Sequence, residues 1–80
     1  MTNDEIRQKL TPIFRDVFDD DSLEISEATT AGSVPTWDSL THIDMIVAVE
    51  KAFSVSFTTK EVGSLGNVGD LIRLIASRAK

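Results

Sequence analysis

Ile6, Leu10, Ile13, Phe14 and Val17 recur at the three- and four-residue spacing that lines one face of a helix. Thr2 precedes them with Glu5 three places on, a pairing that can satisfy two orphan amides at a helix start. The pattern predicts a first helix from about Asn3 to Phe18. Pro12 lies inside it, and an interior proline removes a backbone hydrogen bond. The apolar spacing runs through it, so the expectation is one helix with a bend. From Asp19 to Asp38 no strong period survives, and Gly32 and Pro35 punctuate the stretch. This reads as a long loop that Leu23, Ile25 and Val34 could anchor; loops of this length are often functional. A second helix is expected from Ser39 to Phe53, with Ile43, Ile46, Val49 and Phe53 toward the core. Val55 and Phe57 suit a short extended link. Thr58 and Glu61 repeat the capping pattern and open a short third helix ending near Gly63 or Gly66. Asn67 and Asp70 cap a fourth, whose apolar face is Val68, Leu71, Ile72, Ile75 and Ala79. Nothing repeats, and nothing alternates long enough to make a sheet. The fold class is therefore all-α: a four-helix bundle of three longer helices and one short one, with a long loop between the first and second. Residues 1–80 are read as a single domain.

Size and charge narrow what such a bundle can do. A chain of 80 residues buries only about 60–65% of its unfolded surface, which leaves little room for a deep catalytic cavity. Eight Lys and Arg stand against 13 Asp and Glu, a formal charge of −5. Phosphate backbones repel such a chain, so nucleic acid is not expected as a partner. Basic protein surfaces are better suited, because opposite charge speeds encounter. Without cysteine, the chain itself offers neither disulfides nor thiolate chemistry. The start Met1-Thr2-Asn3-Asp4-Glu5 lacks the basic and apolar segments of a signal peptide. No apolar run approaches the roughly 18 residues of a membrane span. A cytoplasmic monomer with no membrane partner is the expectation.

Three of the four helix starts pair a cap residue with an acid three places later; the second does not. It reads Pro35-Thr36-Trp37-Asp38-Ser39-Leu40. With Asp38 as N-cap, Ser39 is the first helical residue and points its hydroxyl into solvent at the helix mouth. Orphan amides and the positive end of the helix dipole gather there, and both favour an anionic substituent. Ser39, His42, Asp38 and Asp44 contain the letters of a hydrolytic triad, but no Gly-x-Ser-x-Gly turn or evident oxyanion hole accompanies them. No catalytic residue is assigned. Asp19 to Glu24 is acidic yet lacks the glycine and ligand spacing of a calcium loop, so no metal site is assigned either.

Asp38-Ser39-Leu40 opening an amphipathic helix, after a long acidic loop in a four-helix chain, resembles the acyl carrier protein family over essentially the whole sequence. In that family the serine of this motif carries 4′-phosphopantetheine through a phosphodiester. The resemblance implies that a phosphopantetheinyl transferase moves the group from coenzyme A to Ser39. The thiol at the end of the arm would then hold an acyl or aminoacyl group as a thioester. A loading ligase and acceptor enzymes of fatty-acid, polyketide or related metabolism would be the further partners.

Between Asp16 and Glu50 there are nine acids and no Lys or Arg. Such a run often serves solubility alone. The 3.6-residue period also puts Leu40, Asp44, Val47 and Lys51 on one stripe opposite the core face. A mixed apolar and acidic stripe suits transient docking, where charges steer and apolar groups anchor. The second helix is the partner-recognition helix of the carrier family. The resemblance implies docking roles for Asp38, Leu40, Asp44, Val47 and Glu50. Three positions depart from fatty-acid carriers: Thr41 and Lys51 where acids are usual, and Trp37 where a small or aliphatic residue is usual. They point to a specialised carrier with a dedicated loading enzyme. Trp37 either covers the core edge or grips the arm, and His42 either packs with a hydrogen bond or acts beside the arm. A different class stays open at this level: an unmodified helical adaptor docking through its acidic face.

Overall fold

The computed structural model describes residues 2–78. Four α-helices follow in order: α1 (Asn3–Val17), α2 (Ser39–Phe53), α3 (Thr59–Gly63) and α4 (Val68–Arg78). One 3₁₀ turn, Ala31–Ser33, interrupts the long loop between α1 and α2. No strand occurs among the described residues. The molecule measures 31 × 25 × 21 Å.

The caps set the helix starts. Thr2 Oγ1 accepts from the Glu5 amide at 3.1 Å while the Glu5 carboxylate accepts from the Thr2 amide at 2.9 Å. Thr58 and Glu61 repeat the arrangement at α3. At α4, Asn67 Oδ1 accepts from the Asp70 amide, and Asp70 reaches back to the Gly66 amide instead of closing a box with Asn67. Helix α1 runs on through Pro12, which is exposed. The missing bond therefore falls on the side open to water, where the freed carbonyl can be hydrated.

α1 packs against both α2 and α4. Ile6, Leu10 and Phe14 from α1, Met45 and Val49 from α2, and Ile72 and Ile75 from α4 are fully buried. Ile25 and Val34 pin the long loop to this core as the sequence suggests, and Leu23 packs at its edge. Backbone bonds fix the loop from the other side: the Val68 and Gly69 amides at the head of α4 donate to Thr29 and Glu27 carbonyls at 2.8 and 2.9 Å. Arg15 Nε donates to the Leu23 carbonyl at 2.8 Å.

One core assignment on α2 is corrected. Ile43 is 53% exposed, and Met45 takes the buried place. α3 is only five residues long and covers that side of α2 incompletely, so Ile43 is left at the rim of a groove. Ala79, assigned to the α4 face, lies outside the described residues.

Candidate functional site

α2 begins at Ser39, with Asp38 as its N-cap. Asp38 Oδ1 accepts from the Leu40 amide at 2.9 Å and from the Thr41 amide at 3.0 Å. The His42 amide donates to the Asp38 carbonyl at 2.9 Å. Thr41 supplies what an acid supplies at α1 and α3. Its Oγ1 accepts from the Asp38 amide at 2.8 Å and donates to the Thr36 carbonyl at 2.7 Å. The second helix thus has a capping box after all, closed by a hydroxyl. Bonds from the Thr41 amide, then its hydroxyl and the Leu40 amide, hold the Asp38 carboxyl below the usual carboxylate range.

This cap alters the expected electrostatics at Ser39. The amides that could greet an anion are largely taken by the Asp38 carboxylate, leaving the Ser39 amide as the free donor of the first turn. A loose phosphate would meet a carboxylate there. An anionic group at this position is therefore better held by a covalent bond than by a cradle of amides. Ser39 itself is exposed, and its Oγ has no hydrogen-bond partner among the described residues.

His42, one turn on, does not serve Ser39. Trp37 Nε1 donates to His42 Nδ1 at 3.0 Å, and His42 Nε2 lies 3.1 Å from the Val62 carbonyl of α3. The indole is donor-only and the carbonyl acceptor-only. The imidazole therefore carries its proton on Nε2, and both its nitrogens are occupied. It is a packed, hydrogen-bonded histidine, stacked on Trp37 at 6.0 Å and 18°. Trp37 meets Phe14 edge-on at 5.5 Å and Phe18 at 5.4 Å, covering the edge of the core. No metal-holding cluster of three or more ligating side chains exists among the described residues.

Beside Ser39 an open groove of about 610 Å³ runs between α2 and α3. Its walls include Ile43, Val62 and Leu65, with Trp37 and His42 at its base. Sequence reading placed Ile43 in the core and did not single out Val62 or Leu65. The usable signal was spacing: Ile43 stands four residues after Ser39 and so shares its face.

The stripe expected on α2 has a mixed outcome. Leu40 and Val47 are 78% and 45% exposed, and Asp44 is exposed between them. Ile43 enlarges the apolar part. Glu50 is different: its Oε2 accepts from the Phe57 amide at 2.8 Å, securing the link into α3.

No family model matches the chain. A solution NMR structure of a holo acyl carrier protein from Geobacter metallireducens is similar to it, with 44% sequence identity and a TM-score of 0.83. The likeness covers 89% of this chain and 82% of that one. The chain belongs to the acyl carrier protein family. The all-helical architecture, with three long helices and one short, is that of an acyl carrier protein. Its role is to carry acyl groups for enzymes, and it is not itself an enzyme. No described helix of the carrier is long and apolar enough to cross a membrane.

Proposed function

We propose that Ser39 carries 4′-phosphopantetheine, placed there from coenzyme A by a phosphopantetheinyl transferase. The observation behind this is the setting of Ser39. Its unpartnered hydroxyl opens α2, with an apolar groove on one side and an exposed acidic and apolar helix face on the other. The residues fit the group. The hydroxyl is accessible for a covalent bond, and an open groove with apolar walls lies beside it. When attached, the group supplies the thiol that the cysteine-free chain lacks, and that thiol holds an acyl or aminoacyl group as a thioester.

The chain's own residues then present and orient. Asp38 and Thr41 fix the first turn, so Ser39 stands at a defined place. With His42 committed to Trp37 and Val62, the imidazole does not take the proton leaving Ser39 Oγ, and a base of the transferase would accept it. Leu40, Ile43 and Val47 offer the apolar part of a docking face for the transferase, a loading ligase and acceptor enzymes, and Asp38 and Asp44 give it charge. Glu50 supports that face by holding Phe57.

The carrier works as a cytoplasmic monomer with residues 1–80 as a single domain, in fatty-acid, polyketide or related metabolism. Trp37, Thr41 and Lys51 favour a specialised member with its own loading enzyme. Thr41 and Trp37 are built into the cap and the groove base, so they are parts of a consistent local design.

Intact mass after incubation with a broad transferase and coenzyme A tests the attachment. One phosphopantetheine group should be gained, and Ser39→Ala should abolish the gain. No gain with several transferases would favour an unmodified adaptor. Efficient replacement of the carrier in a reconstituted fatty-acid synthase would defeat the specialised reading.

A further inference from the structure

We propose that the chain of contacts Trp37–His42–Val62 is a specificity device: it shuts the helical interior and confines cargo to short acyl groups in the surface groove. This rests on attachment at Ser39 and goes beyond it, to the class of group carried.

The groove beside Ser39 is open to solvent and has apolar walls. An acyl chain longer than the groove could gain burial only by passing between α2 and α3 into the core, since hydrophobic gain follows the area removed from water. Three linked contacts close that path. The Trp37 indole fills the space above Phe14 and Phe18, with ring centroids 5.5 and 5.4 Å away. Its Nε1 donates to His42 Nδ1 at 3.0 Å. His42 Nε2 donates in turn to the Val62 carbonyl at 3.1 Å, tying the last turn of α3 to α2.

Aliphatic groups at these positions would meet only through non-directional contact and could slide apart. Here, parting α2 from α3 leaves the His42 Nε2–H and the Val62 carbonyl without partners, and displacing Trp37 as well frees the indole N–H and His42 Nδ1; such groups resist being left unpaired. Below the clasp the interior is solid: Leu10, Phe14 and Met45 are fully buried in one continuous core. Close-packed interiors do not yield space without repacking. Any part of the arm that lies in the groove reduces the room for cargo, so what remains suits a short or polar acyl group.

The test loads the protein from acetyl-, butyryl-, octanoyl- and decanoyl-coenzyme A with a broad transferase. Intact mass is read first; absence of any gain on Ser39 overturns the attachment reading, and this inference with it. With loading achieved, hydroxylamine cleavage of the thioester and methyl NMR shifts of Leu10, Met45 and Ile72 are measured. In the wild-type protein, cleavage rates should agree within about twofold from butyryl to decanoyl, and the core methyls should stay in place. In Trp37→Ala, decanoyl cleavage should slow severalfold relative to butyryl, and the core methyls should move. Trp37→Phe keeps one aromatic ring and removes the donor with the rest of the indole, so it should show a smaller effect in the same direction; it serves if the alanine variant does not fold. Chain-length-dependent protection or core shifts in the wild-type protein would overturn the proposal. So would folded variants at Trp37 that behave like wild type.

Discussion

The Asp38 carboxylate stabilises α2 by accepting from two amides of its first turn, and those same bonds favour its charged form. Its pKa is lower folded than unfolded. Its contribution is therefore complete above the ordinary aspartate range near pH ~4 and is lost as pH falls through the depressed folded value. Urea midpoints of wild type and Asp38→Ala should differ clearly at pH 7 and converge in acid below that range. A gap that persists unchanged would mean the charge does nothing for the cap. At Trp37 the hydrogen bond and part of the ring go together. Trp37→Phe keeps one aromatic ring against Phe14 and Phe18, removes the rest of the indole and deprives His42 Nδ1 of its donor. A part-buried acceptor left unpaired costs about 1–3 kcal/mol, so a loss toward the lower end of that range is expected in denaturant unfolding. Nitrogen NMR shifts of the wild-type imidazole should report the Nε2–H tautomer.

At the scale of the elements, two backbone positions invite opposite substitutions. Ser54 ends α2 in the left-handed region at φ 54°. A side chain there is strained where glycine is not, so Ser54→Gly should raise stability by about 0.5–1 kcal/mol. Gly69 lies in the first turn of α4, where alanine would ordinarily gain about 1 kcal/mol. Its added Cβ would sit 3.0 Å from the Glu27 carbonyl oxygen and 3.2 Å from Glu27 Cβ. The loop is bonded to α4 at that point and cannot retreat freely, so Gly69→Ala should destabilise by about 1 kcal/mol or more. Gly63, with nothing within 4 Å, is the control and should tolerate alanine. The same residues show what a sequence can reveal. The starts of α1 and α3 were legible because their caps are local chemistry, written within four residues. The bounds of α2 followed from Asp38 and the apolar period. The place of Ser39 as the first residue of α2 was legible because it belongs to a helix start. Ile43 was not: the period gives a face, but only the third dimension shows that α3 is too short to cover it. Nor was Glu50, whose partner Phe57 lies seven residues on, across a turn. The clasp from Trp37 to Val62 also needed the assembled bundle, since α3 supplies its last member.

Charge acts at the scale of the whole molecule. All four arginines are engaged in ion pairs: Arg7 with Asp4, Arg15 with Glu24, Arg73 with Asp70 and Arg78 with Glu61. These are mostly exposed pairs of small energetic worth, but they cancel negative charge on α1, α4 and the far side of α3. The acids near Ser39 are not cancelled in this way. Asp38 and Asp44 have no ion-pair partner among the described residues, and Lys51 is the nearest cation along α2. Asp16, Asp19, Asp20 and Asp21 at the end of α1 are also without ion-pair partners among the described residues, so the uncancelled acids of a chain with net charge −5 lie there and on α2, the helix that opens at Ser39. A transferase with a basic docking surface would be steered to that helix, and steering weakens as the screening length falls from about 30 Å at 0.01 M salt to about 8 Å at 0.15 M. The rate constant kcat/KM for modification of Ser39 should fall severalfold over that range, while kcat stays nearly constant, because salt acts on encounter and not on the bond being made. Two substitutions locate the effect. Asp44→Lys should lower kcat/KM and flatten its salt dependence; Lys51→Glu, about two turns further on the same face, should raise kcat/KM and steepen it. Equal responses to both would place the steering elsewhere on the surface, and a change confined to kcat would show that the face acts in the chemical step instead.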